Sequence, residues 1–530
     1  MASRLAWCRC GNCYSLRLRA ALKSTALAAI VLASWLVATS AAAADEGKPR
    51  PNILVICADD HAAYVTGAYG NSRVRTPNID RLASGGILFE RAYCNSPVCT
   101  ASRQSFLTGR YPRSLGVTRL ETPLPAETAT LATTLAAAGY DTAAIGKMHF
   151  NSQLSHGFDL RVDLPDYQAW LKRQPAETLP EGLAVQGAWR PFRDPARVWL
   201  NSECRPMGMS DARMDASYLA ARAEEYLQSP REKPFYLVVS FYEPHSPYRF
   251  PVEYRGRHAA SEFEVPRVGP EDDNQIPAVF RDLTDDEKRG IAVAYYTSVE
   301  FMDQKVGRVL EALERSGKAR DTLVIYLGDH GYMLGQHGRF EKYVSYEEAV
   351  RVPLVMRLPE RIPSGACSNA FVELVDLVPT VYDLCGLPAD SRVDGRSLCG
   401  VLLEGVQEHR DHVIVEYAPN DEVMIRDDRW KLVYERNLRR RKDGYDPERP
   451  LVPHLVRPYD LDHDPQEMTN VAGDPANADT VKRLKGSLVD RLVRTAREPP
   501  LVPRTDDAMA ILDFCVRPRD VGRMGKGSGK

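Results

Sequence analysis

From residue 51 to about residue 400 the chain alternates between short apolar runs and segments whose apolar residues recur at helical spacing. Asn52–Ala58, Ile87–Tyr93, Thr142–Ile145, Phe235–Phe241, Leu323–Leu327 and Leu354–Leu358 have the length and composition of buried strands. Between them, Thr76–Ser84, Ser102–Thr108, Leu131–Ala138, Ser217–Leu227 and the amphipathic Ile291–Arg315 read as helices. Such alternation predicts an α/β fold, a large, mainly parallel or mixed sheet sandwiched by helices. Past about residue 405 the pattern changes: HVIVEY and VMIRDDRWKLVYE read as strands around an Asp427-Asp428 turn, and a helix follows over Asp479–Arg494. A smaller C-terminal antiparallel sheet subdomain accounts for this. The expected division is a larger domain over 45–405, an α+β subdomain over 406–525 and a flexible tail over 526–530. The charged run Glu435–Gly444 is expected to be a solvated hairpin loop.

Composition narrows the class. With 530 residues, 44% hydrophobic and 26% charged, the chain is globular rather than fibrous or disordered. A net charge of -2 shows no basic excess, which argues against a nucleic-acid partner. Residues 1–44 read as an export signal: Arg4, Arg9, Arg17, Arg19 and Lys23 precede the apolar TALAAIVLASWLVAT, and Ala42 and Ala44 supply a small-residue cleavage site. The apolar core is shorter than the roughly 20 residues of a spanning helix. Cleavage after Ala44 is therefore expected, leaving an exported chain, periplasmic or secreted, with no stable membrane span. Of eleven cysteines, Cys8, Cys10 and Cys13 leave with the leader; the other eight enter an oxidising compartment where some could pair, although Cys57 looks like a buried strand thiol.

Three predicted strands end in polar clusters: Asp59-Asp60, Glu243-Pro244-His245 and Gly328-Asp329-His330-Gly331. In open α/β sheets ligands bind at the carboxyl ends of strands, so these clusters point to one site. Adjacent carboxylates repel unless a cation lies between them, which makes Asp59 and Asp60 candidates for a hard, oxygen-held metal. Each cluster alone could equally be a strand-end turn.

The segment Cys99-Thr100-Ala101-Ser102-Arg103, continuing to Leu107-Thr108-Gly109-Arg110, closely resembles the signature of the type I, formylglycine-dependent sulfatases of the alkaline phosphatase superfamily. The resemblance extends over roughly residues 51–475 and is similar to the iduronate sulfatase branch, which has histidine where His330 stands. It implies that Cys99 is oxidised to Cα-formylglycine by a formylglycine-generating enzyme. It also implies that Asp59, Asp60, Asp329 and His330, with the oxygen at position 99, hold one divalent metal, calcium. Gly146-Lys147-Met148-His149 resembles the family's G-K-x-H, so Lys147 is expected to bind sulfate and His149 to contact the hydrate. Arg103 would hold the hydrate, Lys342 the sulfate, and His245 would face the ester oxygen. The usual proline of the signature is Ala101 here, and an unconverted Cys99, buried or paired with Cys94, is the alternative.

The implied activity is hydrolysis of sulfate monoesters, with His245 protonating the leaving oxygen and His149 acting as base in the second step. A sulfated carbohydrate is favoured because the irregular insertion from Asp163 to Asp211 could wall a large pocket, although GKMHF also resembles choline sulfatases. The alternatives are a phosphodiester or phosphonate ester hydrolase of the same superfamily and a catalytically silent protein that binds sulfated glycans.

Overall fold

The computed structural model describes residues 50–497 and 499–520. The expected leader and the tail from 526 lie outside them. Eight strands form the main sheet: β1 Asn52–Ala58, β2 Ile87–Tyr93, β3 Asp141–Gly146, β4 Leu160–Val162, β5 Phe235–Ser240, β6 Thr322–Gly328, β7 Leu354–Arg357 and β8 Ala366–Glu373. Their order is β4-β3-β5-β1-β6-β7-β2-β8. β1 runs parallel to β5 and β6, whereas β7 is antiparallel to both β6 and β2. The sheet is therefore mixed, with β7 reversed against the others.

β1 shows how the pattern builds the layers. Its alternate residues Ile53, Val55 and Cys57 enter one core while Leu54, Ile56 and Ala58 enter the other, so a strand buried on both faces must be apolar throughout. The nine helices of seven or more residues among the described residues are α1 Pro77–Ser84, α2 Cys99–Thr108, α3 Leu131–Ala137, α4 Leu164–Leu171, α5 Asp215–Gln228, α6 Asp285–Arg315, α7 Leu377–Leu384, α8 Ala478–Arg494 and α9 Ala508–Cys515. Residues of α2, α3 and α7 fill the first core; those of α1, α5 and α6 fill the second. α6 starts earlier than its apolar pattern because Thr284 and Glu287 form a capping box over a polar first turn.

Four further strands, β9 Val413–Tyr417, β10 Glu422–Arg426, β11 Trp430–Glu435 and β12 Leu455–Asp460, form the antiparallel sheet in the order β12-β11-β10-β9. Ile414, Val423, Ile425 and Leu432 pack on Leu484, Leu488 and Leu492 of α8. On the opposite face Val413, Val415, Met424 and Val433 join the first core of the main body. The small sheet is thus clamped between α8 and the first core of the main body. Among the described residues, no helix is long and apolar enough to cross a membrane.

Candidate active site

The carboxyl ends of β1, β3, β5 and β6 lie side by side, and the segment after β2 brings Cys99 to the same edge. Each strand hands its next residues to one buried cluster. Gly146 closes β3 with φ of 101°, and a Cβ there would lie 1.9 Å from the Ser240 carbonyl oxygen. Only glycine permits this close approach, from which Lys147 N donates to Ser240 O at 3.0 Å and Lys147 is aimed across the sheet edge. Gly331 serves similarly after β6, since a Cβ there would lie 2.0 Å from Glu348 O.

Cys99 is the first residue of α2, three residues ahead of the sequence-based start. At a helix N-terminus the unpaired N–H groups favour an anion. Its Sγ is buried and lies 3.1 Å from both Lys342 Nζ and His330 Nε2. Burial and Asp59 disfavour a thiolate, but Lys147, Lys342 and His330 outweigh them and lower its pKa. Cys57, Cys94 and Cys99 are buried without a disulfide, so the Cys94–Cys99 pairing is not formed. Ala101 lies in the first turn of α2, packed with Val98 and Tyr417. The first intrahelical bond runs from Ser102 N to Val98 O, so the helix does not depend on whether residue 101 is alanine or proline.

Three carboxylates face Cys99. Lys342 donates to Asp60 Oδ1 at 2.6 Å and Lys147 pairs with Asp59. Arg103 Nε donates to Asp329 Oδ2 at 2.8 Å, while its Nη1 holds Lys147 O and Ser240 Oγ. Burial alone would raise Asp59, yet Lys147, His245, Arg103 and Lys342 hold its carboxyl well below the usual range. Ligand atoms of Asp59, Cys99, Asp329 and His330 lie within 4.8 Å of one another, as do those of Asp59, Asp60, Cys99 and His245.

The donor set fits a divalent cation on two counts. Asp59 Oδ1 and Asp60 Oδ2 are buried without a hydrogen bond, a costly state for carboxylate oxygens. His330 Nδ1 faces Gly331 O at 3.1 Å, and because a carbonyl only accepts, Nδ1 carries the proton there. Nε2 is thereby directed at Asp60, Asp329 and Cys99, the arrangement by which backbone carbonyls orient metal-binding imidazoles. Burial lowers the His330 pKa, but Asp329, Cys99 and Asp60 raise it to about 9, so a cation bound here would take the place of the Nε2 proton.

The remaining predicted residues are also gathered here. His149 has a buried Nδ1 without a partner, and burial followed by Lys147 and Arg103 lowers its pKa to about 3. His245 donates from Nδ1 to Ser246 O at 2.7 Å; burial and then Lys342 lower its pKa to about 4. Glu243, from the same strand end, does not present its carboxyl to the cluster. Burial and Asp215 push that carboxyl well above its usual range, and Glu243 contributes its backbone oxygen, which accepts from Asp59 N at 3.2 Å.

Several supports, Ser102 of the signature segment apart, carried no signal of their own in the sequence. Tyr295, inside α6, donates to Asp60 O at 2.5 Å, and Ser102 donates to Asp329 O at 2.5 Å. Asp520 accepts from Arg119 N at 3.1 Å and from the Thr118 and Thr122 hydroxyls. It thereby ties down the turn whose Leu120 and Thr122 carbonyls hold Thr100 and Asn151. The run at 435–444 opens the connection from β11 to β12 and is solvated over 438–440 and at 442, as expected, while the Arg441 side chain turns inward between Glu341 at 3.0 Å and Asp443 at 2.9 Å. Its charges brace the segment that carries Lys342.

The family described as Sulfatase matches residues 51–387, and the N-sulphoglucosamine sulphohydrolase C-terminal family matches 335–494. An arylsulfatase from Clostridium perfringens is 28% identical over 473 residues, covering 84% of this chain and 94% of the relative. Iduronate 2-sulfatase from Mus musculus is 28% identical over 420 residues, covering 68% and 74%. Among solved structures, the phosphonate monoester hydrolase of Agrobacterium radiobacter superposes with a TM-score of 0.72 at 25% identity, covering 86% of this chain and 98% of that one.

Proposed function

Because the chain belongs to the sulfatase family of sulfuric ester hydrolases, we propose that it removes sulfate from a sulfated carbohydrate, using position 99 as the nucleophile. The observation that carries this reading is the place of Cys99: buried, at a helix N-terminus, within hydrogen-bond reach of Lys342 and His330 and ringed by three aspartates. Conversion to formylglycine by a maturation enzyme would give position 99 a hydrate with two hydroxyls, one to attack sulfur and one to release the sulfate. Asp59, Asp60, Asp329 and His330 would hold the divalent ion, calcium by its oxygen-rich shell, which would offset the charge of the sulfate oxygens. The export signal read in residues 1–44 supports placing the reaction in the periplasm or the exterior.

The chain's own groups divide the work. Lys147 and Lys342 supply the cationic frame for the sulfate oxygens. Arg103, its guanidinium committed to Asp329, Lys147 O and Ser240, orients that frame from beneath. His149 is neutral with a free Nδ1, but the burial and cationic neighbours that keep it neutral also oppose protonation, so it would act as a base only once a bound sulfate offsets Lys147 and Arg103. His245 holds its Nδ1 proton on Ser246 O, so donation to a leaving oxygen requires a second proton on Nε2. An incoming sulfate supplies the negative charge that favours that imidazolium.

Rates on a sulfated monosaccharide and on a matched phosphonate ester test the reading against the hydrolase of similar fold. The sulfate ester is expected to be turned over with a kcat/KM at least about tenfold higher; a preference for the phosphonate would assign the chain to the other activity. His245→Ala tests the proton donor. A sugar alkoxide leaves badly without a proton, whereas nitrophenolate leaves unaided, so the loss on a sugar sulfate is expected to exceed that on nitrophenyl sulfate by about 10²-fold. Equal losses on the two would make His245 a sulfate-binding group.

A further inference from the structure

Residues 172–195 form no helix or strand, yet they are fastened to the loop that carries His245. Gln186 Nε2 donates to Pro247 O at 2.6 Å, and Gln186 N donates to Pro206 O at 2.9 Å. Long irregular segments held in place this way usually serve a ligand. Three residues further on, Trp189 lies with its ring centroid 5.8 Å from that of His245 and the two planes at 70°. Trp199, on the same insertion, is buried at 3% exposure, whereas Trp189 is 50% exposed. The T-shaped contact with His245 uses only part of the indole, and the remainder stands half in water beside the group expected to face the leaving oxygen, where a ligand could cover it. The near-perpendicular planes mean that the imidazole does not stack flat on the indole. The other groups around this mouth are polar or aromatic: the Tyr242 hydroxyl donates to Asp163 Oδ1 at 2.9 Å, and Lys147 Nζ lies 5.9 Å from the Tyr242 ring centroid.

We propose that Trp189 is the platform on which the sugar ring bearing the scissile sulfate stacks. The inference rests on the carbohydrate reading above and deepens it by naming the group that selects a ring over a chain. A pyranose presents a face of C–H bonds whose hydrogens carry small positive charge, and the indole face carries the complementary negative quadrupole. Sulfate held by Lys147 and Lys342 fixes one end of the substrate. Its bridging oxygen faces His245, so the next group outward, the sugar carbon skeleton, meets the indole. A short alkyl sulfate engages the same sulfate frame and has no ring to lay against Trp189.

The test compares Trp189→Ala and Trp189→Phe with the wild-type protein on glucosamine 6-sulfate and on propyl sulfate. Trp189→Ala is expected to raise KM for the sugar sulfate about tenfold with kcat little changed, the size expected of one aromatic stacking contact. The ratio of kcat/KM on sugar to that on propyl sulfate then falls by about the same factor, and Trp189→Phe restores most of it. Equal losses on the two substrates would make Trp189 a support for His245, and no loss on the sugar would remove the platform; either result overturns the proposal. If the wild-type protein itself shows no preference for sugar over propyl sulfate, the carbohydrate reading fails, and that is seen before any variant is measured.

Discussion

Cys99→Ala is expected to lower sulfate release by on the order of 10⁴-fold or more, the scale on which loss of a nucleophile acts. The fold is expected to survive. Cys99 is 1% exposed, but the change removes one sulfur atom and costs on the order of 1 kcal/mol, small against the two cores that flank the sheet. Cys99→Ser separates a mere anion-binding thiol from a covalent role. Serine keeps a hydrogen-bonding atom for Lys342 and His330, and its oxygen can accept sulfate, yet its carbon bears no second hydroxyl to expel it. It should therefore be nearly as inactive as alanine and give a protein heavier by one SO3 group after incubation with substrate, the alcohol having left with the serine proton. Mass measurement of the wild-type peptide containing Cys99 completes the set: an unmodified thiol in fully active protein would exclude the formylglycine, and wild-type turnover by Cys99→Ala would remove position 99 from the chemistry.

Much of this site is legible in the linear chain because strand ends in an open sheet are topologically equivalent. Asp59-Asp60, Lys147, His245 and Asp329-His330 each follow an apolar run directly, so recognising the strands already places the side chains on one edge. What could not be read depends on contacts between distant residues. β7 is plain as an apolar run, but its reversed direction follows from a connection that starts and ends at the same sheet edge and carries Lys342 over the site on the way. β8 escaped because its first half is polar and partly exposed: Cys367 and Asn369 face outward on an edge strand, breaking the apolar run used to find the others. α2 begins three residues ahead of its sequence-based start because Cys99 and Thr100 have low helix propensity and a helix buried on every side shows no amphipathic stripe. Tyr295 and Asp520 act on Asp60 and on the 118–122 turn from far along the chain, and neither position carries a motif. Within the basic run at 435–444, exposed over 438–440 and at 442 as its charge suggests, the inward turn of Arg441 onto Glu341 depends on a distant partner that no local pattern reveals.

Stripping divalent metal from the protein is expected to reduce activity by about 10²-fold or more, with calcium restoring it, because three carboxylates and an imidazole converge on the space beside Cys99. Asp59→Asn and Asp329→Asn retain the size of the side chain and one oxygen but remove a charge, so each should weaken metal binding. Each also breaks a buried ion pair: Asp59 holds Lys147, and Asp329 holds Arg103 Nε at 2.8 Å. Removing one member of such a pair costs about 3–5 kcal/mol, enough to lower activity through the fold alone. The two causes differ in their response to concentration. Activity lost through weaker binding returns as calcium is raised, following the occupancy seen by elemental analysis, whereas activity lost through disturbed packing does not. Asp59→Asn should therefore show a calcium-dependent recovery at concentrations well above those that saturate the wild-type protein. Full activity in a preparation with far less than one divalent ion per chain would exclude the metal, and variants that lose activity at full occupancy would assign Asp59 and Asp329 to positioning Lys147 and Arg103 instead.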